Sequence, residues 1–298
     1  MKKSTSLFLL LFMLLLLTIP TFQASIEPAE ADTTHRVYLP LVLSTLNAKK
    51  GVFITYGACQ DASLLRTSWY AASEGVRPPA GCPQSDRRFV PVIHNAAAMA
   101  ELDTAIRNAQ VSGWLKGFTE PNLPSQSNIS PAEAAQLWRQ IEMAADAAGG
   151  IKLVSPSPSQ HDPGWLFRMV DEYQTRYGRK PRFDAIAWNY YYAPDDGYRD
   201  SVMEFLTKRH NDALALGYNV PIWVMEYGGE CWHNGKYNVE VMTSQTPQFG
   251  QTPWIERYAW FANRLYGTEP WATGWESCSL VNPSTGALKA LGEIYQGY

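Results

Sequence analysis

The 298-residue sequence predicts an α/β fold, a (β/α)8 TIM barrel in a single domain. Three observations predict it. Short apolar runs bounded by Gly, Pro, Asn or Asp alternate with stretches of helical period, and this alternation implies parallel strands joined by right-handed crossovers. The runs are mostly continuous, as expected of strands covered on both faces. Once the leading segment is set aside, about 250 residues remain, the usual size of such a barrel. An open doubly wound sheet shares the alternation but normally carries a Gly-rich phosphate loop, and none is present in the sequence.

In chain order, residues 1–31 read as a secretory signal peptide. Lys2 and Lys3 precede the apolar block Leu7–Ile19, and Ala29-Glu30-Ala31 offers a small-residue cleavage site. Residues 32–50 form a lead whose apolar stretch, 37–43, either packs on the barrel or acts as a tether. Residues 51–298 form the barrel domain. Its expected strands are Gly51–Tyr56, Ser68–Ala72, Phe89–His94, Trp114–Glu120, Lys152–Ser157, Phe183–Tyr191, Pro221–Tyr227 and Thr273–Cys278. Helical patterns fall at Ala98–Gln110, Pro131–Ala147, Trp165–Tyr177, Asp200–Leu216, Trp254–Tyr266 and Ala287–Tyr295. Ser130-Pro131-Ala132-Glu133 has the form of a capping box, with Pro at the first helical position.

Composition narrows the function. The net charge is −3 with no basic run, so nucleic acid is not an expected partner. No later segment is long and apolar enough to span a bilayer, so no membrane insertion is expected after signal cleavage. The chain is rich in aromatics, with 11 Trp and 16 Tyr, side chains that pack cores and also suit the apolar faces of sugars. Four cysteines remain: Cys59, Cys82, Cys231 and Cys278. An even count in an exported chain favours disulfides. Loops of neighbouring strands meet at a barrel rim, so the expected pairs are Cys59–Cys82 and Cys231–Cys278. No CxxC, HxH or HExxH is present, so no metal and no organic cofactor are expected. The expected protein is a secreted monomer, free or associated with the cell surface.

Active sites of such barrels lie at the C-terminal ends of the strands. Glu120 ends the run WLKGFTEPN (114–122), and Glu226 ends VPIWVMEYGG (220–229). Alternation puts Ile222, Val224 and Glu226 on one face of their strand and Trp223 and Met225 on the other. The two runs are the fourth and seventh strands, which face each other across a barrel. Glycosidic bond cleavage needs such a pair: one carboxyl protonated to donate to the leaving oxygen, one ionised to attack the sugar carbon. A carboxylate at this position can equally anchor a loop or form an ion pair.

The run GFTEPNLPSQSNISPAEAAQLW (117–138) resembles the signature of glycoside hydrolase family 128, the alkali-sensitive-linkage type of β-1,3-glucanase. KLVSPS (152–157), FDAIAWNYY (183–191), PIWVMEYG (221–228) and TPWIERYAWF (252–261) extend the resemblance in order and spacing. It implies a retaining clan A barrel glycosidase acting on a polysaccharide or oligosaccharide, most plausibly β-1,3-glucan. Glu120 would be the acid/base, Glu226 the nucleophile, and the intermediate a covalent glycosyl-enzyme. Two positions depart from the pattern. Thr119 stands where the family usually has an Asn that bonds the sugar 2-hydroxyl, and Asn189 stands where it usually has His. Tyr191, on the face of Asn189, is placed to bond Glu226. Trp275 either lies under a bound sugar or packs the rim. Trp69, Trp188 and Tyr190 either line subsites or pack the core. His94, Glu230, Trp232 and Glu276 are rim residues of less definite role. Because of the two departures, a carbohydrate-binding pseudoenzyme and a clan A hydrolase of another polysaccharide stand as alternatives.

Overall fold

Strands and helices alternate along the chain as the apolar runs require. The computed structural model describes residues 47–57, 59–73, 75–267 and 274–298. The expected signal peptide, and all but the last four residues of the expected lead, lie outside the described residues. The strands are β1 (Lys50–Ile54), β2 (Trp69–Ala72), β3 (Trp114–Lys116), β4 (Lys152–Val154), β5 (Ile186–Tyr191), β6 (Ile222–Gly228) and β7 (Ile255–Phe261). The helices are α1 (Gln60–Leu64), α2 (Leu102–Ser112), α3 (Pro131–Ala148), α4 (Trp165–Tyr177), α5 (Val202–Ala215), α6 (Asn238–Gln251) and α7 (Ala290–Gln296). All strand pairs are parallel. Five strands run in the order β2-β1-β7-β6-β5, and β3 pairs with β4. Isolated parallel bridges join Tyr70 to Phe89, Val92 to Lys116 and Val154 to Ala185. The expected strand Phe89–His94 exists only as two of these bridges.

Two expected elements are overturned. Residues 254–266 were expected as a helix, yet Ile255–Phe261 is β7, paired with both β1 and β6. A short buried run spaces its apolar residues in ways that fit either state, and here aromatic and β-branched content decides for a strand. The expected last strand, Thr273–Cys278, is not one: Thr273 lies outside the described residues and Trp275–Cys278 is a 3-10 turn. The sequence reading also missed α6, which carries Pro247 and Gly250 inside it. Its buried Val241, Met242, Gln245, Thr246 and Phe249 hold it to the sheet. At the start of α3, Ser130 Oγ accepts from Glu133 N at 3.2 Å with Pro131 behind it. The reciprocal box forms instead at α5, between Ser201 and Glu204.

The five-stranded sheet curls. β2 and β6 are separated by two strands in the order, yet the Trp69 and Trp223 rings lie 5.3 Å apart. Trp114 of β3 lies 4.6 Å from Trp223, and the Arg257 guanidinium of β7 sits 4.5 Å over Trp223. These side chains fill the inner face near the N-terminal ends of the strands. Trp223 and Glu226 therefore share the inner face although they stand three positions apart. A regular pleat would place them on opposite faces. The register shift between Val224 and Tyr227 supplies the missing half-step, so the expected grouping of Glu226 with Ile222 and Val224 does not hold.

Both expected disulfides are present, Cys59–Cys82 and Cys231–Cys278. The end of the lead packs on the fold: Asn47 Nδ2 donates to Tyr258 Oη at 2.8 Å and Lys49 Nζ to Thr252 O at 2.8 Å. Lys50, expected in the lead, is the first residue of β1. Its buried ammonium donates to Tyr295 O at 3.0 Å, satisfying the end of α7. Inside α7, Gly292 meets the Leu280 carbonyl so closely that a Cβ there would lie 2.0 Å from that oxygen. Gly292→Ala would normally gain helix propensity of about 1 kcal/mol. Here it is expected to lower stability by about 1–3 kcal/mol, because neither partner is a flexible side-chain end; chemical denaturation of the purified pair checks the sign.

Candidate active site

A cleft of about 440 Å³ opens at the C-terminal ends of the strands, lined by Thr119, Glu120, Tyr191, Glu226, Trp275, His94, Phe53 and Phe261 among others. Glu120 reaches it through an irregular backbone. Beyond β3 the chain continues as an extended run, with Gly117 N bonded to Val154 O and Thr119 N to His94 O, both at 3.0 Å. Glu120 then turns to φ +44°, the left-handed region, at a cost of about 1–2 kcal/mol for a residue with a Cβ. This turn lets two consecutive residues, Thr119 and Glu120, face the same cleft. The bonds Glu120 N to Ser157 O and Leu123 N to Glu120 O, both 3.0 Å, hold it. Ser127 Oγ donates to the Thr119 carbonyl from the following loop.

Glu226 enters from β6. Its Cα partner on β5 is Asn189, at a second register shift between Trp188 and Asn189. Tyr191 Oη donates to Glu226 Oε2 at 2.9 Å. Asn189 Nδ2 donates to Glu120 Oε1 at 3.3 Å, and Asn189, paired across the sheet with Glu226, also lowers that second carboxyl.

Beneath them lies a residue the sequence reading passed over. Lys116 is 1 % exposed, and its Nζ donates to Thr119 Oγ1 at 2.6 Å and to Phe118 O at 3.2 Å. A lysine within an otherwise apolar strand was the available signal, since Lys is almost never fully buried without a partner. It shares the face of Trp114 by alternation.

These groups set one another's protonation. Burial pushes the Glu120 carboxyl up to about 8, and the Glu226 charge adds to that, against smaller opposing effects of Asn189 and Lys116. Burial raises Glu226 too, but the Lys116 ammonium and the Tyr191 and Asn189 hydrogen bonds pull it back. Burial draws Lys116 down to about 7, while both carboxylates hold it up. The proton therefore belongs to Glu120 and the negative charge to Glu226. His94 is pulled down to about 4 by burial and by Lys116, so it faces the cleft as a neutral ring at pH 7.

The other candidates divide. Trp275 lines the cleft, its ring 5.4 Å from Tyr191 and 5.3 Å from Trp232. Trp69 does not reach it, because it belongs to the tryptophan cluster at the far end of the strands. Tyr190 does not reach it either: alternation turns it away from Asn189 and Tyr191, and it stacks on Phe205 of α5 at 4.3 Å. Trp188 points the same way, toward Phe167 and Phe205. Glu230 is buried and accepts from Asp195 N at 3.0 Å, while Trp232 Nε1 donates to Asp196 Oδ2 at 2.6 Å. Glu276 is exposed. Among the described residues, no group of three or more His, Cys, Asp or Glu side chains is gathered as a metal would need, and no helix is long and apolar enough to cross a membrane.

Residues 56–295 match the family described as glycosyl hydrolase catalytic core. No curated protein matches the chain. Among solved structures, the fold is similar to a subgroup II endo-β-1,3-glucanase of glycoside hydrolase family 128 from Sorangium cellulosum, at 26% identity and TM-score 0.64, over 83% of this chain and 97% of that one. It is similar to a subgroup I endo-β-1,3-glucanase from Amycolatopsis mediterranei in complex with laminaritriose, at 22% identity and TM-score 0.61, over 84% and 99%. A subgroup III curdlan-specific exo-β-1,3-glucanase from Blastomyces gilchristii in complex with glucose gives 22% and 0.61, over 85% and 99%.

A carboxyl group held protonated in the folded state but ionised when unfolded makes the native form bind the extra proton. Its contribution to stability is complete below its ordinary value of 4.5 and is lost as pH rises toward about 8. Glu120→Gln keeps the shape and removes the titration. Its melting temperature relative to wild type is expected to climb steadily from pH 5 to pH 8, by the equivalent of at least about 1 kcal/mol; a pH series of thermal melts measures it.

Proposed function

Because the chain belongs to the glycosyl hydrolase catalytic core family, we propose that it is a retaining glycoside hydrolase cleaving β-1,3-glucan by double displacement. The observation that carries this reading is the pair Glu120 and Glu226 facing one cleft, with Asn189 donating to the first and paired across the sheet with the second. The Glu226 charge acts on Glu120 strongly enough to raise it, which favours the close spacing of retaining enzymes, about 5–5.5 Å, over the wider inverting one. The sheet supports the (β/α)8 reading: the bridges at Tyr70–Phe89, Val92–Lys116 and Val154–Ala185 link the five-stranded and two-stranded sheets in ring order.

In the first step the Glu226 carboxylate attacks the anomeric carbon. The bond to the leaving oxygen breaks, and that oxygen takes the proton of Glu120. In the second step Glu120, now ionised, takes a proton from water, whose oxygen displaces Glu226 and restores both groups. Tyr191 supports Glu226 by donating to the oxygen that is not attacking. The elevated Glu120 matches what an acid must be at neutral pH. Trp275 and Phe261 supply apolar walls for a sugar face. The substrate assignment draws on the family 128 neighbours, among which the Amycolatopsis mediterranei enzyme is in complex with laminari-oligosaccharides. The reading extends to domain organisation: a signal peptide at 1–31, a lead that ends before β1, and a catalytic domain acting outside the cell, where the two disulfides persist.

The test is hydrolysis of laminarin and curdlan, followed by reducing ends. Glu120→Ala is expected to lose about 10²–10⁴-fold, and Glu226→Ala to fall to background. With an activated aryl β-glucoside in place of the polysaccharide, azide is expected to restore aryl release in both, giving the β-glycosyl azide with Glu120→Ala and the α-azide with Glu226→Ala. Binding of oligosaccharide without end release by the wild type would instead identify a non-catalytic binding protein.

A further inference from the structure

Among the described residues, Lys116 lacks the direct ion-pair partner that a buried ammonium usually has. An ammonium withdrawn from water costs several kcal/mol unless paired, and among the described residues no carboxylate is close enough to Nζ for a direct ion pair. Its two hydrogen bonds go to the Phe118 carbonyl and to Thr119 Oγ1. An ammonium only donates, so the Thr119 oxygen must accept. Among the described residues the Thr119 hydroxyl has no protein acceptor for its own proton, and the side chain lines the cleft beside Glu120. The charged and titratable groups around this ammonium are Glu120 from its own run, His94 from the segment bridged to β3, and Tyr191 and Glu226 from β5 and β6.

Resting on the hydrolase reading, we infer that Lys116 is a positioning residue for the reaction: it turns the Thr119 hydroxyl into a fixed donor aimed at a sugar hydroxyl, and it places one positive charge beneath the carboxylate pair. The first effect gives a threonine the donor function that an amide would supply beside the acid. The second keeps the nucleophile ionised while its neighbour keeps the proton, so that the three groups together carry no net charge as long as Lys116 is protonated. The downward pull of burial on Lys116, countered by both carboxylates, is what such an arrangement entails.

The variants are Lys116→Met, which fills the same space without charge, and the pair Thr119→Val and Thr119→Ser. The first readout needs no turnover: carboxyl ¹³C NMR of selectively labelled protein follows the Glu226 titration. Removing a neighbouring cation raises a carboxylate's pKa, so its midpoint is expected to rise by about one pH unit or more in Lys116→Met, and the acid limb of kcat/KM on laminarin to move up with it. Thr119→Val is expected to lose about tenfold in kcat/KM, with Thr119→Ser restoring most of it. An unchanged Glu226 midpoint in folded Lys116→Met overturns the charge role, and a Thr119→Val protein as active as wild type overturns the donor role. If Lys116→Met does not fold, the threonine pair alone decides. A wild-type protein that releases no ends from either glucan sinks the hydrolase reading; the Glu226 titration is independent of that result and still judges Lys116.

Discussion

A lysine and two acids almost wholly withdrawn from solvent at the floor of one cleft set the terms for everything around them. In a medium of low polarity, a charge on any of the three would be costly alone. While Lys116 keeps its proton, up to about 7, the favoured arrangement has Glu226 ionised and Glu120 protonated. The surrounding polar contacts follow that arrangement. Tyr191 donates a hydrogen bond to the ionised member. Asn189 donates to Glu120, and its oxygen has no partner among the described residues; rotating the amide by half a turn would present that oxygen to a protonated Glu120. The neutral His94 adds no second cation to the site.

Delivering these side chains to one place requires the backbone to leave its regular course three times. Glu120 adopts a conformation that residues with a Cβ rarely take. β5 and β6 slip register beside Asn189, and β6 and β7 slip again across Glu226. Irregularities of this kind re-aim a side chain at the price of ladder hydrogen bonds. The rest of the sheet is regular enough to hold them: Trp69, Trp114, Trp223 and Arg257 pack the opposite end of the inner face into a rigid floor.

The same irregularities mark where the sequence was legible and where it was not. Local signals worked where they were strong. Trp165–Tyr177 has a clear helical period and is α4 residue for residue, and the cysteine pairs followed from which loops are neighbours. The position of Glu120 and Glu226 at strand ends was visible, because apolar runs stop there. Their final orientation was not, since period-two alternation fails at a bulge and assigned Glu226 the wrong companions. Tyr190 was separable from Asn189 and Tyr191 by that same alternation, which holds on β5. Lys116 was missed because a charged residue in a strand suggests solvent; only the fold reveals that Glu226, from far along the chain, joins Glu120 near it.

Lys50 and Tyr295, 245 residues apart, are bound to each other through β1 and α7, and Tyr295 Oη returns a second bond to Gly51. β1 also needs β7 beside it. During synthesis, then, one of the earliest parts of this domain to emerge waits with an open edge until nearly the last part arrives. Nearly the whole domain must emerge before its two ends can lock together, which makes assembly slow relative to a fold of local contacts. An unfinished chain exposes an unpaired strand that invites association with other chains.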